Sequence, residues 1–84
     1  MSTFCARVYV TLKPTVNDPQ GNTVLFGLQT LGFDNVLSVR VGKYLEVKVN
    51  SKHETTAKKT VEKMCRQLLA NPVIEEYRVE INSS

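Results

Sequence analysis

The chain has 84 residues, of which 42% are hydrophobic and 23% charged, and its formal net charge is +3 at pH 7. A chain of this length buries only about 60–65% of the surface that it exposes when unfolded, which leaves room for one modest core. The composition excludes disorder and low complexity, and no apolar run approaches the roughly 20 residues that span a bilayer. We therefore expect residues 1–84 to form a single globular domain without a deep private pocket.

Charge and cysteine usage narrow the class of protein further. Basic and acidic residues are interleaved, which favours a solvated surface over a nucleic-acid footprint. No basic segment followed by an apolar stretch begins the chain, so no secretion signal is predicted. Cys5 and Cys65 are then predicted to be reduced thiols of a cytoplasmic protein. They have no histidine cluster beside them, so no metal site is expected.

The first predicted elements are a strand and a helix. Apolar and polar residues alternate from Phe4 to Leu12, which is typical of a half-buried strand. Asp18 can accept hydrogen bonds from the first free amides of a helix, and Pro19 suits the first helical position. Apolar residues at helical spacing extend this helix to Leu31. Gly27 inside it predicts a close approach to another element.

The segment Val36–Val49 predicts two strands with a turn around Gly42. Opposed residues of a hairpin point to the same side of the sheet, so the apolar sets agree only if Val41 opposes Leu45. This register requires a three-residue turn or a bulge at Gly42–Tyr44. We expect an irregular tip that projects from the sheet.

A second helix and a last strand complete the chain. Apolar residues at helical spacing predict a helix over Thr55–Ala70, which Asn71–Pro72 ends. Alternation over Tyr77–Ile81 predicts the strand. The order strand, helix, strand, strand, helix, strand predicts an α+β two-layer sandwich of the ferredoxin-like type, with two helices on one face of a four-stranded antiparallel sheet.

The face of the sheet without helices is predicted to be an interface between copies of the chain. It mixes tyrosine and arginine, which are enriched at protein interfaces, although a wet sheet face is common in antiparallel proteins. The residues expected there are Arg7, Tyr9, Thr11, Ser38, Arg40, Tyr44, Glu46, Lys48, Arg78 and Glu80.

No catalytic constellation is evident. The single histidine, His53, lies in a polar segment, and Cys65 lies on the apolar stripe of the second helix, where a thiol is normally a small hydrophobe. The adjacent carboxylates Glu75 and Glu76 diverge on an extended chain. The glycine-and-aromatic pattern of RNA-binding sheets is missing.

Four strings give the chain a specific resemblance. They are VYVTLK at Val8–Lys13, DPQG at Asp18–Gly21, VRVGKY at Val39–Tyr44 and MCRQLLANPVIE at Met64–Glu75. In this order and spacing the chain resembles the PurS family, the small subunit of bacterial and archaeal phosphoribosylformylglycinamidine synthase. The similarity runs from Arg7 to Ile81.

The resemblance implies a non-catalytic subunit of an ATP-dependent, glutamine-using ligase of de novo purine synthesis. Such chains associate with themselves, as dimers or tetramers, and bridge a PurQ-type glutaminase and a PurL-type synthetase so that ammonia passes between active sites. ATP and Mg are expected in the synthetase partner, and no cofactor, nucleic acid or membrane is expected on this chain.

Three groups of residues are predicted to serve these contacts. The motif at the start of the first helix is Asp18, Pro19, Gln20 and Gly21. The candidates for contact with the partner enzymes are Arg40, Gly42, Lys43, Tyr44, Asn71, Pro72 and Glu75. The self-association face is represented by Arg7, Tyr9, Thr11, Glu46 and Arg78.

The main alternative is a small-molecule-binding regulatory domain of the ACT type, which shares the order of strands and helices. It predicts an amino acid bound at a dimer interface.

Overall fold

The computed structural model describes residues 2–83. Its elements in chain order are strand β1 (Ser2–Leu12), helix α1 (Pro19–Thr30), strand β2 (Gly42–Ser51), helix α2 (Glu54–Met64) with a π-helical turn (Cys65–Leu69), and strand β3 (Glu75–Ser83). The predicted α+β class with an antiparallel sheet is confirmed, and the elements follow the ferredoxin-like order except that the strand predicted within residues 36–41 does not form. The two helices and the last strand lie where the sequence predicts them.

The sheet has β1 at its centre, in the order β2-β1-β3, and both pairings are antiparallel. The alternation predicted for the first strand is confirmed, because Phe4, Ala6, Val8 and Val10 are all buried. Side chains alternate across a strand, so these four line one face. The edge strands contribute half-buried residues to the same core: Leu45, Val47 and Val49 from β2, and Tyr77, Val79 and Ile81 from β3.

Helix α2 covers this apolar face. Ala57, Val61 and Cys65 are fully buried along its inner side. The π turn then widens the helix, and the amide of Ala70 donates to the carbonyl of Cys65, five residues back. This wider turn changes the phase of the residues that follow, and Leu68, expected on the apolar stripe, is 83% exposed.

Helix α1 does not pack on the sheet. It lies apart from the strands and from α2, and we call residues 19–41, which include it, the arm. The radius of gyration is 16.5 Å and the longest dimension is 52 Å, whereas a compact domain of this length has a radius of gyration of about 12 Å. The close approach expected at Gly27 is absent, since within the described chain a Cβ there would have no atom within 4 Å beyond its neighbours in the same helix.

The predicted hairpin is also absent from residues 2–83. Residues 36–41 form no strand, and β2 begins at Gly42. Leu45 opposes Val8 rather than Val41. The amide of Val41 is instead bonded to the carboxylate of Asp18, and the guanidinium of Arg40 to the carbonyls of Val16 and Lys13. Alternation within residues 36–49 could not reveal these contacts with distant residues.

Candidate subunit interface

Asp18 organises one end of the molecule. Its side chain is buried, and its two carboxylate oxygens accept hydrogen bonds from the amides of Gly21 (2.9 Å) and Val41 (2.7 Å). These bonds, first that from Val41 and then that from Gly21, hold the pKa of Asp18 below its ordinary value. The predicted capping of the helix is therefore confirmed, and the same carboxylate also fixes the segment before β2.

The start of α1 lies directly against that segment. Pro19 occupies the first turn of the helix, as predicted. A Cβ on Gly21 would overlap the carbonyl oxygen of Val39 and the carboxylate of Asp18, so only glycine fits there. The DPQG motif is thus a closely packed junction between the two ends of the arm.

Arg40 has a different place from the predicted one. Its guanidinium donates to the carbonyls of Val16 (3.0 Å) and Lys13 (2.9 Å). It belongs neither to the sheet face nor to a projecting tip, because no hairpin forms. Arg40 instead holds the loop after β1 against the end of the arm, and Ser38 likewise lies outside the sheet.

Other predicted contact residues meet across one end of the sheet. Lys43 Nζ lies 3.7 Å from Glu75 Oε2, which joins the start of β2 to the start of β3. Beside this pair is a cavity of about 270 Å³, which we call the end cavity. It is lined by Val10, Leu12, Asp18, Gln20, Val41, Gly42, Lys43 and Glu75. Residues from separate parts of the sequence therefore meet and form one surface.

The connection after α2 is a hydrogen-bonded turn that reaches the same surface. The amide of Asn71 donates to Glu75 Oε1 at 2.7 Å, and the side-chain oxygen of Asn71 accepts from the amide of Val73 at 3.0 Å. Pro72 lies exposed within this turn. A second cavity of about 270 Å³ lies between the π turn and β3, and Pro72 and Glu75 line it as well. Glu75 thus borders both cavities.

The open face of the sheet carries a connected aromatic and charged cluster. The rings of Tyr9 and Tyr44 are 5.2 Å apart, and the guanidinium of Arg78 lies 4.4 Å above the ring of Tyr9. The Tyr9 hydroxyl donates to Glu80 at 2.9 Å, and this bond to a carboxylate raises the pKa of Tyr9. Tyr44 therefore belongs to the open face and not to the end cavity.

The remaining predicted residues of that face flank the cluster. Arg7 lies opposite Glu46 on one side and Glu80 on the other, and Thr11 lies opposite Gly42 and Glu76. The charges are balanced across neighbouring strands. The role of this face in self-association stays a prediction.

Of the residues considered for chemistry, Cys65, Glu75 and Glu76 all line the second cavity. Across residues 2–83, no group of three or more His, Cys, Asp or Glu side chains has the geometry to hold a metal ion. Cys65 is fully buried, and burial raises the pKa of its thiol. None of the helices described is both long and apolar enough to cross a membrane. The end cavity and the carbonyl contacts of Arg40 had no sequence signal, because both depend on how distant segments meet.

These features define a class of protein: a small α+β domain in which the side chains of Asp18, Arg40 and Glu75 fix the connecting segments at one end of the sheet. The family model of PurS, phosphoribosylformylglycinamidine (FGAM) synthase, matches residues 5–83. The chain is 50% identical to the PurS subunit of Synechocystis over 95% of its own length and 80% of that protein, and 44% identical to the PurS subunit of Bacillus subtilis over 93% and 92%. The chain belongs to the PurS family, small subunits of FGAM synthase.

Solved structures agree with this assignment. The PurS structure from Methanocaldococcus jannaschii, a subunit of formylglycinamide ribonucleotide amidotransferase in the purine biosynthetic pathway, superposes with a TM-score of 0.86 at 37% identity, over 96% of this chain and 98% of that one. A chain in the structure of PurLQS from Thermotoga maritima gives a TM-score of 0.89 at 33% identity, over 98% and 100%. The resemblance predicted from four short strings is therefore confirmed over nearly the whole chain.

Proposed function

We propose that this chain is the non-catalytic assembly subunit of an FGAM synthase, where it bridges a PurQ-type glutaminase and a PurL-type synthetase. The reaction is the ATP- and glutamine-dependent amidation of formylglycinamide ribonucleotide to formylglycinamidine ribonucleotide. The observation that carries the proposal is the match, over 98% of this chain and 100% of that one, to a chain of the PurLQS structure. The chain supports ammonia transfer by holding the two enzymes together.

The end cavity and its rim are the proposed contact surface for the partner enzymes. The Lys43–Glu75 pair is exposed on the lysine side, where 58% of the side chain is accessible. The pair is long, at 3.7 Å, and Glu75 also accepts from the amide of Asn71, so a partner carboxylate can take the place of Glu75 beside Lys43. Gly42, Asn71 and Pro72 shape the rim. Arg40 acts as a positioning residue through its bonds to the loop after β1.

ATP and Mg are proposed to bind to the synthetase partner, as the family resemblance implies, with no cofactor on this chain. The chain is proposed to work in the cytoplasm, because its two cysteines are free thiols and such thiols persist in reducing compartments. We further propose that it associates with itself, as a dimer or a tetramer.

Reconstitution tests the bridging role. A PurL-type synthetase and a PurQ-type glutaminase are mixed with and without this chain, and glutamine-dependent product formation is followed with ATP and Mg present. Ammonia-dependent activity of the synthetase alone is the control, since it needs no bridge. The expected result is a loss of glutamine-dependent activity alone when the chain is omitted. Unchanged activity without the chain contradicts the proposal.

The ACT-type alternative is not favoured, because the family and structural matches are to PurS proteins. It predicts a rise in melting temperature with some amino acid. A thermal-shift series over the common amino acids separates the two functions, and we expect no rise.

A further inference from the structure

We infer that the second cavity anchors a segment of a partner enzyme in which a large apolar side chain lies beside a lysine or an arginine. The apolar side chain fills the cavity, and the cation binds the carboxylate of Glu75. This inference rests on the proposed function, which requires contact with two enzymes, and it states the chemistry of the segment that one of them supplies.

The second cavity is a mainly apolar hollow between the π turn and β3. Its volume is about 270 Å³, and its walls include Cys65 and Ala70 on the helical side and Pro72 and Tyr77 on the other. Cys65 is fully buried, and burial raises the pKa of its thiol, so the wall that it forms is neutral. Pockets with mostly apolar walls accept apolar groups. Large side chains that fill such pockets carry much of the affinity of a protein interface.

Large apolar residues remain exposed around this cavity. Leu68 is 83% exposed, Val73 75% and Ile74 39%. Leu68 belongs to the π turn that lines the cavity, and Val73 and Ile74 lie in the chain between the lining residues Pro72 and Glu75. Single exposed apolar residues are ordinary on a monomer, whereas a group of them beside a hollow marks an interaction site. π turns are also frequent at functional sites.

Glu75 supplies the charge complementarity. Its side chain is only 16% accessible, and its Oε1 accepts from the amide of Asn71 at 2.7 Å. Within residues 2–83, the cation beside Oε2 is Lys43 Nζ at 3.7 Å, which is too long for a hydrogen bond. Hydrogen bonds between a cation and a carboxylate are the strong ones. A lysine or an arginine of the partner can therefore bind Oε2.

The position of Glu75 joins the anchor site to the surface already proposed for the partner enzymes. Glu75 borders both the second cavity and the end cavity. The end cavity is lined by the polar side chains of Asp18, Gln20 and Lys43, whereas the walls of the second cavity are mainly apolar. The chain thus offers two adjoining sites of different chemistry, which lets a subunit that holds two enzymes distinguish between them.

Two variants test the two parts of the anchor separately. Leu68→Glu with Val73→Glu places charges on exposed apolar residues beside the cavity. Glu75→Gln removes the charge, while the side-chain oxygen can still accept from the amide of Asn71. The affinity of each variant for a purified PurL-type synthetase, a purified PurQ-type glutaminase and their mixture is measured by biolayer interferometry. We expect each variant to bind at least one of the enzymes about tenfold or more weakly than wild type.

Matched controls lie at the opposite end of the same helix. Thr55→Glu with Thr56→Glu adds two charges at exposed positions in the first turn of α2, and Glu54→Gln removes an exposed carboxylate there. Both controls should bind the enzymes as wild type does. Circular dichroism verifies that every variant is folded, and light scattering verifies that its self-association is unchanged.

Photo-crosslinking keeps the inference testable if the double variant fails to fold. Leu68 is replaced by p-benzoylphenylalanine, and the crosslinked peptides of the reconstituted complex are mapped by mass spectrometry. The expected product joins residue 68 to a segment of one enzyme in which a large apolar residue lies next to a lysine or an arginine. Crosslinks to a second copy of the chain alone would overturn the inference.

The outcomes separate the inference from the proposed function. If glutamine-dependent activity requires the chain and both variants bind with wild-type affinity, only the inference is wrong. If that activity persists without the chain while the variants still weaken binding to an enzyme, only the proposed function is wrong. If the apolar double variant weakens self-association and leaves enzyme binding intact, the surface belongs to a contact between copies and the inference is wrong.

Discussion

The backbone amide of Val41 donates a 2.7 Å hydrogen bond to Oδ2 of Asp18, so the residue before α1 holds the residue before β2. The other oxygen of the same carboxylate caps α1 through Gly21. One side chain thus fixes both the start of the helix and the return of the chain to the sheet. The position of the whole arm depends on this junction.

Replacing Asp18 by Ala should destabilise the protein more than a helix cap alone would, because the buried amide of Gly21 and the half-buried amide of Val41 both lose their acceptor. We expect the melting temperature to fall by roughly 5 °C or more. Differential scanning calorimetry measures the change, with Asp34→Ala, at an exposed position of the arm, as the control. Equal melting temperatures for the two variants would contradict the role of Asp18.

The loss of folding stability at acid pH should depend on the same carboxylate. Hydrogen bonds hold the folded-state pKa of Asp18 below its ordinary value of 3.8, so the charged form is favoured in the folded state. Its contribution is therefore present above that value and is lost as pH falls through the lowered folded-state pKa. Urea unfolding from about pH 6 to about pH 2 should show the advantage of wild type over Asp18→Asn shrinking. A constant difference across this range would exclude the linkage.

Two glycines should respond oppositely to the same substitution. A Cβ at Gly42 would lie 2.6 Å from the carbonyl oxygen of Val10, whereas a Cβ at Gly27 would have no other atom within 4 Å. Gly42→Ala should therefore lower the free energy of unfolding by about 1–3 kcal/mol, as overpacked substitutions do. Gly27→Ala should raise it by up to about 1 kcal/mol, because alanine favours the helix. Urea denaturation of the two variants side by side gives both values.

Reversing the charge at Lys43 should weaken assembly with the partner enzymes while the fold persists. Its side chain is exposed and its only ion pair in the described chain, with Glu75, is long. We expect the affinity of Lys43→Glu for the synthetase–glutaminase pair to fall roughly tenfold, equivalent to about 1.4 kcal/mol. Lys52→Glu makes the same charge change at an exposed position just beyond the opposite end of β2, away from the end cavity, and serves as the control. Equal loss in both variants would indicate a general charge effect.

Arg40 is unsuitable for that experiment. Its bonds to the carbonyls of Lys13 and Val16 make it part of the structure of the end region. Arg40→Glu would therefore change folding and contact together.

The two thiols should differ in reactivity. Cys65 is fully buried, and burial raises the pKa of its thiol, whereas Cys5 is half-buried. Because the thiolate is the reactive form, we expect Cys65 to react with a disulfide reagent at least about 100-fold more slowly than Cys5 in the native protein. Peptide mapping after timed labelling assigns each rate, and the rates should converge in urea. Comparable native rates would contradict the packing of α2.

Local patterns predicted most of the elements correctly. Alternation over Phe4–Leu12 and helical spacing in the second half of the chain each depend on residues that are near in sequence, and the structure confirms them. The capping role of Asp18 was likewise predictable from Asp18 and Pro19 alone. The phase change after Cys65 was not, because the sequence carries no signal for a π turn.

The sequence by itself determined the type and position of the helices and of three strands, the apolar face of the central strand, and membership of the PurS family. Those properties follow from side-chain periodicity and from short strings, which act over a few residues. Only the tertiary structure decided that α1 stands away from the sheet, that residues 36–41 have no strand partner within the described chain, and that Arg40 binds two backbone carbonyls. The physical reason is that strand pairing and long-range hydrogen bonds depend on where distant segments meet, which the local periodicity of side chains does not specify.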